Sequence, residues 1–250
     1  MLFSESPSTF NLPYTSGIVP ASVVKTWDNQ CPPEQHESVI ADYHAIHELR
    51  FASAPPADSA THTLYLATAG APGSGKSYIL EQELQSGNDP RYTTTVKVDP
   101  DRYVMLQMQT YTEALKHARE AHISDAGYAA YNGARPGSNS IANRFLNEAI
   151  ETGRHVAHGT TMTSPHAPKL LDALKERGYD RHLLLVSAPE EFRQAALEHR
   201  NTIEKFHQVT ADDFLTKGKE ATLRTADWLA HTDRASLFWN SDLLVTVLRK

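Results

Sequence analysis

Apolar and polar positions change period repeatedly along the chain after residue 61. Short apolar runs typical of buried strands alternate with longer stretches in which apolar residues recur every three or four positions, as they do in helices that pack on a core. The predicted strands cover residues 64–69, 93–98, 155–158 and 183–186, and a closing pair covers 236–239 and 243–248. This alternation predicts an α/β fold, a parallel sheet with helices on both faces and a ligand crevice at the carboxyl ends of its strands.

Helical periodicity fills the stretches between these strands. The predicted helices cover residues 78–84, 107–121, 138–152, 168–177 and 190–206, and Thr210 opens a last helix with Asp213 as its capping-box partner. Near the start of the chain, residues 34–51 also have helical spacing, whereas residues 1–33 are rich in Pro, Ser and Thr and predict a loosely structured lead-in. The run 52–60 reads as a linker. We therefore predict an N-terminal extension, 1–60, with one helix and a linker, followed by an α/β domain, 61–250.

A glycine-rich segment lies between the first predicted strand of this domain and the helix after it. Residues 70–77 read GAPGSGKS and match the P-loop pattern G-x-x-x-x-G-K-[ST] at every fixed position. In a P-loop, backbone N–H groups and a helix N-terminus surround phosphate oxygens, the lysine reaches the β- and γ-phosphates, and the final hydroxyl binds Mg²⁺. The alternative is a glycine turn before an ordinary helix, and the flanking strand and helix favour the P-loop. The predicted nucleotide-binding residues are Gly70, Ala71, Pro72, Gly73, Ser74, Gly75, Lys76, Ser77 and Tyr78.

Two carboxylates separated by a proline follow the second predicted strand, where residues 98–103 read VDPDRY. We expect this end of the strand to open beside the P-loop, where Asp99 or Asp101 can accept a proton from an attacking hydroxyl or hold Mg²⁺ through water. The alternative is a turn that caps the next helix, with Asp101 as the N-cap. The sequence lacks an N-K-x-D guanine-reading motif and an obvious Walker B aspartate. Both observations favour a kinase over a GTPase or a motor.

Composition restricts the partners and the compartment. The formal net charge is −6 and the charged residues are spread along the chain, so no basic stripe predicts binding to long nucleic acid. The single cysteine, Cys31, cannot form an internal disulfide, which fits a reducing compartment. No segment approaches the length of an apolar membrane span, and the first residues lack the basic start of a secretory signal. We expect a cytoplasmic protein, either in the producing cell or, if it is translocated, in a target cell.

Over most of residues 64–250 the chain resembles the zeta toxin family of P-loop kinases. The resemblance rests on GAPGSGKS and VDPDRY, together with PGSN at 136–139, HGTT at 158–161, RGY at 177–179 and APEEFRQAALEHR at 188–200. It implies a P-loop kinase that requires ATP and Mg²⁺ and transfers the γ-phosphoryl group to a sugar hydroxyl of a nucleotide-like metabolite. That metabolite is UDP-N-acetylglucosamine in the typical case, and NAD in one branch of bacterial effectors. A small antitoxin protein that covers the ATP site is the implied partner.

The resemblance also implies roles for single residues. The family's base falls on Asp101, its P-loop lysine on Lys76 and its metal-binding hydroxyl on Ser77, which Asp99 would assist. An arginine that neutralises the transferring phosphoryl group falls on Arg200, which without the resemblance is equally well a solvated helix residue. The predicted acceptor contacts are Asp99, Arg102, Arg135, Ser138, Asn139, Asn143 and Thr160.

Some of these positions depart from the family pattern or have a second interpretation. Ser138 and Asn139 are equally good N-caps for the predicted helix. Asn143 stands where the family has a substrate-contacting glutamate, for which Glu148 is the alternative under a shifted alignment, and His158 also replaces a glutamate. Such changes remove charge from the acceptor side, so the acceptor stays open. Two other functions also stay open: an ATP-switched binding module without an acceptor, and a polynucleotide 5′-kinase, which the acidic balance disfavours.

Overall fold

The chain forms two compact units in the computed structural model, which describes residues 10–58, 62–203 and 211–248. One unit consists of Met1–Ala52 and Asp99–Glu148, and the other of Ser53–Val98 and Ala149–Lys250. Each unit therefore combines segments that are distant in the sequence. The predicted division into an N-terminal extension, 1–60, and an α/β domain, 61–250, stays a prediction.

A six-stranded sheet lies within the second unit, in the order β2-β3-β1-β4-β5-β6. Its strands are β1 (Leu64–Ala69), β2 (Val96–Val98), β3 (Val156–His158), β4 (Asp180–Ser187), β5 (Arg234–Trp239) and β6 (Asp242–Leu248). The first five strands are parallel to one another, and β6 pairs antiparallel with β5. The predicted α/β class and the predicted closing strand pair are confirmed.

Burial explains the strand pattern. Every residue of β1 is buried, because β1 is a central strand of a mostly parallel sheet. Strand β2 begins later than predicted, since Pro90–Thr94 forms a 3₁₀ turn whose first free N–H, that of Arg91, donates to the Asp89 carboxylate at 3.0 Å. The edge strand β6 is exposed along its whole length.

Four helices belong to the same unit as the sheet: α3 (Lys76–Gln85), α6 (Ala167–Glu176), α7 (Glu190–Ile203) and α8 (Ala211–Ala230). Helix α3 packs on β1 and β4, and α6 packs on β4 and α8. Gly87 and Gly178, with φ of +70° and +78°, follow α3 and α6, because the left-handed conformation that stops a helix suits glycine. The predicted Thr210 cap lies outside the described residues.

The other unit is helical and contains α1 (Ala21–Gln30), α2 (His36–Phe51), α4 (Gln109–Glu120) and most of α5 (Ala126–Glu151). The prediction of a single helix before residue 60 was wrong, because α1 forms within the expected loose lead-in. Its Asp28 accepts two hydrogen bonds from the Arg144 guanidinium, each of 2.8 Å, and Arg144 is fully buried. A contact across 116 positions stabilises this helix, so local periodicity does not reveal it.

Helix α5 begins at Ala126 and passes through Pro136, whereas the sequence predicts a start at residue 138. Asp125 supplies the actual start, because its carboxylate accepts a hydrogen bond from the Tyr128 N–H at 2.9 Å. A proline removes one N–H donor but does not always end a helix, and here the helix continues. Within the described part of the chain, none of the helices combines the length and apolar content that a bilayer span requires.

Candidate active site

Three glycines give the P-loop its shape. Gly70, Gly73 and Gly75 have φ of +142°, +78° and +90°, which L side chains rarely adopt. A Cβ on Gly70 would lie 2.1 Å from the carbonyl oxygen of Val186, and a Cβ on Gly73 would lie 2.3 Å from that of Arg193. The loop backbone therefore touches the end of β4 and the backbone of α7, and only glycine fits at both contacts.

Lys76 and Ser77, the two P-loop residues with predicted roles in phosphate and metal binding, lie at the start of α3. Lys76 Nζ donates to the carbonyl oxygen of Ala71 at 2.7 Å, so the ammonium group is held against its own loop, and Ser77 is half-buried beside it. Phosphate oxygens are stronger acceptors for an ammonium group than a neutral carbonyl. Ser74 is buried, and its Oγ has no hydrogen-bond partner among the described residues. Tyr78 is 57% exposed. The loop has the donors that a triphosphate needs.

The loop after β3 is tied to the strand that leads into the P-loop. Thr68 Oγ donates to the Thr160 carbonyl at 2.7 Å, and the Thr160 N–H donates back to the same hydroxyl at 3.0 Å. The Gly70 N–H donates to the Thr161 carbonyl at 3.2 Å. Thr160, a predicted acceptor contact, is therefore placed next to the P-loop within one unit.

His158, the last residue of β3, shares a 2.7 Å hydrogen bond between its Nδ1 and the Tyr65 hydroxyl. Burial lowers the pKa of His158 to about 4, and burial raises the pKa of Tyr65. Both side chains are neutral at pH 7. A neutral imidazole thus occupies the position where the family resemblance expects a carboxylate.

Asp99 follows the last residue of β2 directly, and its carboxylate caps the π-helical turn Pro100–Val104. Asp99 Oδ1 accepts hydrogen bonds from the N–H groups of Asp101, at 2.8 Å, and Arg102, at 3.0 Å. The alternative interpretation, in which Asp101 is the cap, is wrong, because Asp99 already satisfies these donors.

The Asp101 carboxylate instead forms an ion pair with Arg135 of α5. The two side chains are 26% and 29% exposed, and the Arg135 guanidinium lies 5.4 Å from the centre of the Tyr131 ring. Burial lowers the pKa of Arg135 to about 10, and the charge of Asp99 opposes this shift. Arg135 is therefore a cation at pH 7.

The predicted acceptor contacts on α5 lie inside the helix. Ser138 is fully buried and its hydroxyl donates to the Arg135 carbonyl at 3.1 Å, so Ser138 and Asn139 are not N-caps. Asn139 is 7% exposed, and its Nδ2 makes no hydrogen bond within the described residues. Asn143 is half-buried one turn further along the helix.

Two remaining predicted positions have different surroundings. Arg102 is exposed, although it lies in the same capped turn as Asp101. Glu148, the alternative to Asn143, is buried and engaged by His47 at 2.7 Å and by the Tyr43 hydroxyl at 3.4 Å. Glu148 therefore already has partners within its own unit.

Sequence reasoning selected Arg200 on α7 and missed Arg193 on the same helix. Arg200 is half-buried near the end of α7. Arg193 is only 7% exposed, and its Nη1 donates to the carbonyl oxygen of Pro72 in the P-loop at 3.3 Å. The only sequence signal for Arg193 is its place in the segment 188–200, which carries the family resemblance.

A family model described as Zeta toxin matches residues 55–216. The chain belongs to the zeta toxin family. The matched residues include the P-loop, both aspartates, Arg135 and Arg200. The predicted family of P-loop kinases is thereby confirmed, whereas the roles of single residues in this zeta toxin family member stay predictions.

Solved structures share this fold. A chain of the PezAT chromosomal toxin–antitoxin system of the human pathogen Streptococcus pneumoniae is similar with a TM-score of 0.58 and 16% identity, over 82% of this chain and 81% of that chain. AvrRxo1-ORF1:-ORF2 with ATP gives a TM-score of 0.58 and 12% identity, over 86% of this chain and 67% of that chain. The AvrRxo1 complex with sulphate ions gives 0.54 and 13%, over 85% and 69%. At such identities the likeness establishes the fold, and no curated protein matches the chain.

Proposed function

We propose that this zeta toxin family kinase transfers the γ-phosphoryl group of ATP to a sugar hydroxyl of a nucleotide-like metabolite, UDP-N-acetylglucosamine or NAD. Family membership and the P-loop support the use of ATP. The choice of Asp101 as the general base rests on the different partners of Asp99 and Asp101. Asp99 caps the turn, whereas the Asp101 carboxylate pairs with Arg135. We propose that Asp101 also contacts the reacting hydroxyl.

In the proposed reaction the P-loop N–H groups and Lys76 bind the phosphates of ATP. Asp101 accepts the proton of the acceptor hydroxyl as its oxygen bonds to the γ-phosphorus. The bond from that phosphorus to the bridging oxygen breaks, and ADP leaves. Arg200 neutralises the charge on the transferring group. Arg135 orients the Asp101 carboxylate through their ion pair.

A magnesium ion, when bound with ATP, neutralises charge on the β- and γ-phosphates. Among the described residues no three His, Cys, Asp or Glu side chains converge as a metal site. In kinases Mg²⁺ keeps several waters and uses few protein ligands in addition to substrate phosphates. Ser77 of α3 is the proposed protein ligand, and Asp99 is proposed to assist through water.

The acceptor is proposed to be recognised mainly by neutral groups. Asn143 and His158 stand where the resemblance expects carboxylates, and His158 is neutral because burial lowers its pKa to about 4. Asn139 offers a buried amide with no hydrogen-bond partner among the described residues, and an acceptor hydroxyl or phosphate would satisfy it. Neutral donors and acceptors select strongly for hydroxyl patterns.

We also propose an antitoxin protein as a partner. Structures similar in fold come from a toxin–antitoxin system and from the AvrRxo1-ORF1:-ORF2 complex. An antitoxin that covers the P-loop would block ATP. Pull-down with co-expressed neighbouring gene products, followed by ATP-binding measurements on the complex, tests this proposal.

The test of the function is mass spectrometry of a metabolite extract incubated with the enzyme, ATP and Mg²⁺, with Lys76→Ala as the control. A kinase produces one phosphorylated metabolite together with an equal amount of ADP. ATP binding with no new product in any extract would favour an ATP-switched binding module and contradict the proposal. Labelled phosphate on RNA 5′ ends would favour a polynucleotide kinase instead.

A further inference from the structure

Arg193 lies at the junction of three elements of one unit: the P-loop, α7 and α8. The residue is 7% exposed, whereas most arginines are exposed, and it has no role in the reaction proposed above. We propose that Arg193 is a positioning residue that fixes the orientation of the Pro72–Gly73 peptide, and hence of one phosphate-binding N–H of the P-loop. This inference rests on the proposed use of ATP, but not on the identity of the acceptor.

The backbone of Arg193 limits the position of the loop. Its carbonyl oxygen, carbonyl carbon and Cα lie 2.3, 2.9 and 3.1 Å from where a Cβ on Gly73 would be. Gly73 is therefore in van der Waals contact with the backbone of α7 and cannot move closer to it. This contact limits how closely the loop approaches α7, but it does not fix the rotation of the Pro72–Gly73 peptide.

The guanidinium of Arg193 sets the rotation. Its Nη1 donates to the Pro72 carbonyl oxygen at 3.3 Å. In a planar trans peptide the C=O and the following N–H point in opposite directions. Holding the Pro72 carbonyl toward α7 therefore turns the Gly73 N–H away from α7. The guanidinium acts from the carbonyl side of this peptide, so it orients a phosphate donor without touching the phosphate itself.

Helix α8 holds the guanidinium in place. The Arg193 Cζ lies 4.5 Å from the centre of the Phe214 ring, a cation–π contact. On the same helix, a Cβ on Gly218 would lie 3.2 and 3.3 Å from the two terminal nitrogens of Arg193. Glycine inside a helix is less favourable than alanine. Because Gly218 has no side chain, the guanidinium of Arg193 has room between α8 and the loop.

The charge of Arg193 also fits this role. Burial lowers its pKa, and the carboxylate of Glu190, 4.0 Å away, opposes the shift. An arginine remains charged under such conditions, so the donor to Pro72 is permanent across the physiological pH range.

Arg193→Met keeps the apolar stem and removes the planar donor. We expect the Kd for ATP and for ADP, measured by calorimetry on the full chain with Mg²⁺, to rise about tenfold, the scale of one well-placed hydrogen bond to a charged group. Arg193→Lys should give an intermediate Kd, because a lysine keeps the charge but not the fork. Gln194→Ala, an exposed change on the same helix, is the matched control and should leave the Kd unchanged.

Gly218→Ala separates positioning from stability. It presses on the guanidinium from α8, the three atoms nearest to its Cβ all belong to Arg193, and alanine favours the helix. We expect the Kd for ATP to rise while Tm does not fall. If Arg193→Met and Gly218→Ala both bind ATP within twofold of the wild type, the positioning role is wrong and Arg193 only stabilises the fold. If the wild type itself binds no ATP, the proposed function fails first.

Discussion

At the residue scale, Asp99 and Asp101 show how two identical side chains in one short segment acquire different tasks. Asp99 bonds to two backbone N–H groups, whereas Asp101 pairs with Arg135. The first arrangement is that of a helix cap and the second that of a positioned, ionised carboxylate. The two aspartates should therefore respond differently to the same substitution.

Asp101→Ala should lower kcat about 100-fold or more, because it removes the proposed general base. The Kd for ATP should stay nearly the same, since Asp101 is not part of the P-loop. Steady-state kinetics with the identified acceptor and calorimetry with ATP measure the two effects. Turnover within a few-fold of the wild type would assign Asp101 a purely structural role.

Asp99→Ala should lower the free energy of unfolding by about 1 kcal/mol, the usual cost of losing a cap. Urea denaturation followed by circular dichroism measures it. Asp101→Ala is the matched comparison, and its partly exposed ion pair should contribute less than Asp99 does. Equal losses for the two variants would contradict the division of roles.

At the element scale, an ion pair between Asp28 and the fully buried Arg144 joins α1 to α5. Removing one partner of such a pair leaves the other charge buried, which costs about 3–5 kcal/mol. Asp28→Ala should therefore lower the free energy of unfolding by about 3 kcal/mol, measured in urea, because Arg144 is fully buried. Lys25→Ala, an exposed change in the same helix, should have little effect.

Strand β4 carries a histidine that makes stability depend on pH. His182 is 2% exposed, its Nδ1 lies 2.7 Å from Nη2 of Arg234, and burial together with this cation lowers the pKa of His182 to about 3. The unfolded chain binds this proton near pH 6.5. The stability is therefore complete above pH 6.5 and is lost as the pH falls toward 3.

At pH 5.5 this one histidine should lower the free energy of unfolding by about 1.4 kcal/mol relative to neutral pH. Urea denaturation of the wild type and of His182→Gln at pH 7.5 and 5.5 measures the difference. The variant should be less stable at pH 7.5 but should change less between the two pH values. An equal change in both proteins would contradict the assignment.

For the whole molecule, ATP binding and folding are thermodynamically linked. At a concentration 100 times its Kd, a ligand adds about 2.7 kcal/mol to the stability of the native state. For a chain of this length that corresponds to a rise in Tm of about 5–10 °C. Thermal unfolding with ATP and Mg²⁺ should show this rise for the wild type and little or none for Lys76→Ala. A rise of equal size in that variant would contradict phosphate binding by Lys76.

The sequence alone determined the P-loop, the alternation of strands and helices and the family, because each depends on neighbours in the chain. A glycine-rich loop between a strand and a helix is defined within a few residues, and the burial of β1 and β4 follows from their apolar runs. Those predictions hold because local geometry and local composition agree.

The tertiary structure decided everything that depends on partners distant in sequence. Helix α1 needs Arg144 of α5, Asp101 pairs with Arg135 34 positions away, and Arg193 reaches a carbonyl 121 positions away. Packing fixes the surroundings of each side chain. It therefore determines which of two equivalent carboxylates caps the turn and which arginine is buried. Because distant segments form those surroundings only when the chain folds, local sequence patterns do not reveal them.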